Sequence, residues 1–188
     1  CLSCATSWNW FVSGHSARPW TAENAIDKAL EGLAPIAALE RREAIVGGLP
    51  FYEVASITQI EGGIASNVIP DSTVATLNFR YAPDRTAESA AEYLLSLTPD
   101  GAELEITSDS PPASVVTDTP LVLALRAASD LTFEPKQAWT NVADFTTRGI
   151  DAINFGPGAT RYAHRRDELV EIDALVAAYE TLARFLAG

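Results

Sequence analysis

Methionine is absent from all 188 residues, and histidine and cysteine occur only twice each. Without an initiator residue, the sequence is expected to be a processed chain or a piece of a longer protein. Basic residues are also scarce, 13 against 25 acidic ones, for a net charge of -12. Nucleic acids and anionic membrane surfaces both need a basic face, so neither is an expected partner. No apolar run approaches the roughly 20 residues of a membrane span, and no charged-then-apolar leader opens the chain. A cytoplasmic protein is the expectation. Both cysteines stand at the start, as Cys1-Leu2-Ser3-Cys4. Such a pair serves redox chemistry or half of a zinc site, or is two incidental thiols on a frayed terminus. No second cysteine pair and no closely spaced histidine pair follows it. Repeats and low-complexity tracts are also lacking, while 47% hydrophobic content supplies a core for one large domain or two small ones.

Alternation and helical spacing divide the chain near residue 110. Ser7 to Ser13 reads as a strand with Trp8, Trp10 and Val12 on one face. Thr21 is placed to cap a helix carrying Ala22, Ala25, Ile26, Ala29, Leu30 and Leu33, which ends around Pro35 or resumes through Leu39. Gly47-Gly48-Leu49-Pro50 marks a turn, Val54 to Ile60 a strand, and Gly62-Gly63 its end. From Thr73 to Tyr81, Ala75, Leu77, Phe79 and Tyr81 alternate with Thr76, Asn78 and Arg80, so one face packs and the other stays available. Thr86 caps a helix through Leu97, and Ala102 to Thr107 is a last strand. The order β-α-β-β-α-β predicts an α+β, ferredoxin-like sandwich over residues 1–110, one antiparallel sheet under two helices.

After a linker rich in Pro and Asp, the periodicity predicts helices at Pro120–Ser129 and Val142–Arg148, and strands near Lys136–Trp139 and Ala152–Phe155. A closing helix has Ile172, Leu175, Val176, Tyr179, Leu182, Ala183 and Leu186 in phase. This alternation is α/β, but two strands are too few for a sheet covered on both faces, so residues 111–188 are expected to be part of a larger domain with apolar faces uncovered. Between the second strand and the closing helix runs Gly156-Pro157-Gly158-Ala159-Thr160-Arg161-Tyr162-Ala163-His164-Arg165-Arg166-Asp167-Glu168. Loops at strand ends carry ligands in such folds, and an imidazole beside carboxylates suits a divalent metal. A solvated loop histidine is the alternative.

Gly156-Pro157-Gly158 with Ala163-His164 and Asp167-Glu168 resembles the last metal-ligand motif of the M20 family of zinc amidohydrolases. Gly14-His15-Ser16-Ala17-Arg18-Pro19-Trp20 with Glu23-Asn24-Ala25-Ile26 resembles the start of that family's dimerisation, or lid, domain. Glu61-Gly62-Gly63, Asn67-Val68-Ile69-Pro70-Asp71 and Phe79-Arg80-Tyr81 fit the same lid. The resemblance runs from about Ser13 onward, in the family's order, and is nearest the branch that removes succinate from N-succinyl-diaminopimelate. The family's upstream His-x-Asp motif, bridging Asp and Glu-Glu pair have no counterpart here, so the resemblance implies a lid followed by the C-terminal part of a catalytic domain.

The resemblance also implies roles. His164 would ligate one of two zinc ions, with cobalt able to substitute, and a metal-bound water would be the nucleophile. His15 would reach the partner subunit's site and hydrogen-bond the tetrahedral oxyanion. Asn67 would touch substrate across a homodimer formed by the lids. Arg80 matches a substrate-binding arginine, and Arg18 follows His15 on the same loop; guanidinium groups suit a substrate with several carboxylates. Thr140 aligns with a Gly-Thr-Ser-Asp-like segment in which Trp139 stands here for the glycine. Each arginine alone also reads as solvated surface charge. The expected substrate is a small N-acyl amino acid, with acetylornithine-type deacylation and a non-catalytic dimerisation module as alternatives.

Overall fold

The computed structural model describes residues 1–9, 12–129, 131–163 and 165–187. They divide into two compact units, Cys1–Pro112 with Gln137–Trp139, and Ala113–Lys136 with Thr140–Gly188.

The first unit is built on strand β1, Leu2–Asn9. Leu2, Cys4, Thr6 and Trp8 are buried on one face while their neighbours are part exposed, the two-residue period of a strand with one covered side. A stretch that also read as a frayed terminus is instead an interior strand of the sheet. A two-residue strand β2 (Gly14–His15) leads into a 3-10 turn at Pro19–Thr21 and helix α1, Ala25–Ala37. Asn24, not Thr21, caps α1: its side chain accepts from the Ile26 amide at 3.0 Å, while the Thr21 hydroxyl donates to the Arg18 carbonyl. Pro35 lies in the last turn, where its missing N–H removes one bond, and α1 runs on to Ala37.

Strands β3 (Arg42–Val46) and β4 (Leu49–Gly62) form a hairpin around Gly47 and Gly48, both at positive φ. The turn is where the sequence predicts it; β3 is an added strand. It opens on Arg42 and Glu43, directly after Arg41, so its short run of alternation is hidden among charges. β5 (Val68–Ile69) pairs with β2, and β6 (Ser72–Arg80), helix α2 (Ala87–Leu97, capped by Thr86) and β7 (Ala102–Asp109) complete the unit. The main sheet has the order β3-β4-β6-β1-β7, antiparallel throughout. Setting aside β3 and the small β2–β5 pair, this is the expected β-α-β-β-α-β sandwich. Its core joins Leu2, Cys4, Trp8, Leu77 and Phe79 of the sheet to Ala29, Leu33 and Ile36 of α1 and Ala90 and Leu94 of α2.

The second unit contains α3 (Pro120–Ala127), α4 (Val142–Thr146) and α5 (Ile172–Ala187). Among the described residues, neither 136–139 nor 152–155 is a strand. An extended segment becomes a strand only when a neighbour completes its hydrogen-bond ladder, and local pattern cannot supply one. α5 buries Thr181, whereas Ile172, Leu175, Val176, Tyr179, Leu182 and Leu186 are exposed. Arg184 ties α5 to the end of α3 by donating to the Ala128 carbonyl at 2.7 Å and the Ser129 hydroxyl at 2.9 Å. None of the described helices is long and apolar enough to cross a membrane.

Candidate functional site

His15 and Asn67 are brought together by the smaller of the two sheets among the described residues. Gly14 pairs with Ile69 and His15 with Val68, and the Ser16 amide then donates to the Asn67 carbonyl at 2.9 Å. Gly14 is needed for close approach, because a Cβ there would lie 2.6 Å from that of Ala22. The loop beyond is closed on itself: the Arg18 amide donates to His15 O at 2.8 Å and the Ala22 amide to Pro19 O at 3.2 Å. Its base is tied to β5 by the Ala25 amide donating to Pro70 O at 3.0 Å. His15, Arg18 and Asn67 are thus exposed on one fixed platform.

The imidazole has a defined polarity. His15 Nδ1 accepts from the Ala17 amide at 3.1 Å, so in the neutral ring Nε2 carries the hydrogen. The side chain therefore presents a donor, the group that stabilises negative charge developing on an oxygen.

Arg80 is not part of this platform. It ends β6, eight residues beyond Ser72, and at about 3.3 Å per residue that places it roughly 26 Å along the strand from the β5 end. It is exposed on the sheet face opposite the helices, beside Asn78 and across from Val54.

In the second unit, Asn154 Nδ2 donates to Thr140 Oγ1 at 3.1 Å, joining the approach to α4, two residues before its start, to the run entering Gly156-Pro157-Gly158. Sequence reasoning assigned Asn154 no role. The available signal was a polar side chain between Ile153 and Phe155, just before a turn. Gly158 has a φ of 90°, and a Cβ there would also meet Val170 at 3.3 Å, so both conformation and space call for glycine. A cavity of about 430 Å³ lies here, with Phe133, Lys136, Asn154, Phe155 and Pro157 in its wall. His164 lies outside the described residues. Near it, Arg165 makes two hydrogen bonds to Asp167, at 2.8 and 3.0 Å, and holds that carboxyl below its ordinary range. The described residues form no cluster of three or more His, Cys, Asp and Glu side chains. They do not by themselves fit a zinc centre.

The family model for a peptidase dimerisation domain of the M20 type matches residues 12–104. This segment is an M20 dimerisation domain. A putative succinyl-diaminopimelate desuccinylase of Mycobacterium tuberculosis is 36% identical over 176 residues, 93% of this chain and 49% of that protein. An acetylornithine deacetylase of Myxococcus xanthus is 28% identical over 186 residues, again 93% of this chain and 49% of the relative. Among solved structures, the aminopeptidase PepT of Bacillus cereus superposes with a TM-score of 0.69 at 14% identity, covering 98% of this chain and 50% of that one, and shows the shared fold. The chain spans about half the length of the relatives it matches. The platform bearing His15 and Asn67 and the strand ending in Arg80 both lie within the M20 dimerisation domain.

Proposed function

We propose that this chain supplies the lid and the C-terminal catalytic portion of a metal-dependent amide hydrolase that removes succinate from N-succinyl-LL-diaminopimelate, a step of lysine biosynthesis. The observation that carries this reading is the His15–Asn67 platform, which orients an Nε2–H donor outward from a short, hydrogen-bonded ladder. In this reading His15 donates to the oxyanion as the amide carbonyl becomes tetrahedral. Asn67 contacts the substrate beside it, and Arg18 and Arg80 bind carboxylates. The separation of Arg80 from His15 within one chain is consistent with sites shared between two copies, each giving its platform to the other. Zinc would supply the activated water; of its ligands this chain would provide His164, and the rest would come from outside the sequence described.

A substrate with several carboxylates accounts for two exposed guanidinium groups better than N-acetylornithine, which has one carboxylate. The deacetylase relative keeps that specificity as the second reading. The test is release of succinate or acetate from the two substrates by the full-length zinc-loaded protein and by its His15→Ala variant. Succinate release that falls about 100-fold or more in the variant, with KM little changed, is expected. Preference for N-acetylornithine would establish the second reading, and activity on neither substrate would leave a dimerisation module without this chemistry.

A further inference from the structure

Gln137–Trp139 belongs to the first unit, although the chain has left that unit at Pro112. Gln137 makes the attachment with its side chain. Its Oε1 accepts from the Tyr52 amide at 3.2 Å, and its Nε2 donates to the Pro50 carbonyl at 3.3 Å. Among the described residues, no other hydrogen bond holds Gln137, Ala138 or Trp139.

The ladder explains why those two backbone groups are available. Val46 and Leu49 close the β3–β4 hairpin around two glycines at positive φ, so that pair exchanges both of its backbone bonds. Alternation then gives the next bonded pairs to Ala44–Phe51 and Arg42–Glu53. The Tyr52 N–H and Pro50 C=O fall between them and point away from β3. That other side of β4 is taken by β6 from Val54 onward, but β6 ends at Arg80, the partner of Val54. Two more residues of strand would set Ala82 opposite Tyr52; instead Ala82 opens a turn, its carbonyl accepting from the Arg85 amide at 3.1 Å. The Gln137 carboxamide, with one acceptor and a donor like a peptide group, stands in the lane that β6 leaves. Proline at position 50 suits the same place, because it has no N–H to leave unpaired there.

The hairpin is firm where the attachment is not. Arg42 and Arg85 clamp Glu53, and the Arg41 guanidinium lies 4.4 Å from the centre of the Tyr52 ring. Gln137 is exposed and both of its bonds are long. Holding a flexible side chain in one rotamer offsets much of what two such bonds contribute. A contact of this kind opens by itself, ahead of the ladder it rests on.

We propose that Gln137–Trp139 is a strap, latched on the first unit by the Gln137 carboxamide and able to open while the sheet stays intact. Closed, it seals the end of the β6 lane, about 7 Å along β4 from the rung that Val54 shares with Arg80. Open, it bares the Tyr52 N–H and Pro50 C=O at that point and releases Trp139, which is 42% exposed when latched.

The test is hydrogen exchange of the full-length protein, resolved to single amides. Tyr52 is expected to exchange faster than Phe51 and Glu53, yet about tenfold or more slowly than in the Gln137→Ala variant, with Phe51 and Glu53 unchanged by the substitution. Equal Tyr52 rates in the two proteins would mean that there is no latch. A Tyr52 amide as slow as its neighbours, or a rise at all three amides in the variant, would make the strap part of the sheet. Each of these results overturns the proposal. Trp139 supplies a second reading, as the difference in emission between each protein and its Trp139→Phe counterpart. Gln137→Ala should shift that emission to the red, and an unchanged emission overturns the strap even where the Tyr52 rate rises.

Discussion

Arg42 and Glu53 face each other across the β3–β4 hairpin in a two-bond pair, Nε to Oε1 at 3.1 Å and Nη2 to Oε2 at 2.9 Å. Glu53 is 4% exposed and also receives two hydrogen bonds from Arg85, both at 2.9 Å, while Arg42 reaches on to Asp84. One carboxylate thus links the hairpin to the turn before α2. Glu53→Ala leaves two guanidinium groups without their shared anion and is expected to cost about 3 kcal/mol in urea unfolding, the low end for a broken buried pair because Arg42 is partly exposed. A loss below about 1 kcal/mol would mean that water replaces the carboxylate without penalty.

The same cluster sets an acid limit. Burial pushes the Glu53 pKa up, but the hydrogen bonds from Arg42 and Arg85 outweigh it and hold the carboxyl below its ordinary value; Asp84 is lowered by its hydrogen bonds to Arg42. A depressed carboxylate contributes stability above its unfolded pKa, and this is lost as pH falls through the folded one. Thermal unfolding is therefore expected to hold through neutral pH and to weaken below about pH 4. Glu53→Gln should flatten that descent; an unchanged acid slope in the variant would assign it to other groups.

Cys1 and Cys4 are expected never to form a disulfide with each other. They sit three residues apart on one extended strand, about 10 Å between Cα atoms by strand rise, too far for a bridge. Cys4 is fully buried and its thiol is pushed up by that burial, whereas Cys1 is part exposed. Thiol titration should find one reactive group in the folded chain and two in urea. Two fast groups under native conditions would place β1 outside the sheet.

Gly32→Ala should destabilise the first unit although it improves helix propensity by about 1 kcal/mol. The added methyl would stand 2.5 Å from Pro99 Cγ, and moving that ring or α1 is expected to cost more, about 1–3 kcal/mol. A rise in melting temperature would show that the Pro99 loop yields freely.

The sheet and its two helices were legible because their signals are local. Ala75, Leu77 and Phe79 alternate with polar residues, and Thr86 stands where a cap belongs. β1 was misplaced because tryptophans and Val12 suggested alternation over Ser7–Ser13, whereas burial picks out Leu2, Cys4, Thr6 and Trp8. That choice depends on β6 and β7, far along the chain. The same reason hid β3, whose identity comes from its hairpin partner. At the site, His15 and Asn67 were named from their motifs, but their adjacency comes from a two-residue ladder too short to leave a pattern. The bond between Asn154 and Thr140 joins residues 14 apart across α4 and the loop after it, where spacing predicts nothing.

The position of β1 between β6 and β7 has a consequence for the order of assembly. Its neighbours on either side begin at Ser72 and Ala102, so the first nine residues cannot be paired on both sides until about a hundred more have been made. Local elements, the α1 helix and the β3–β4 hairpin, are free to form early, but the sheet closes only when β7 arrives. The domain should consequently fold late and all at once, with its slow step the closure of that long loop. A nascent chain would hold β1 unsealed on one side until Ala102–Asp109 has been made.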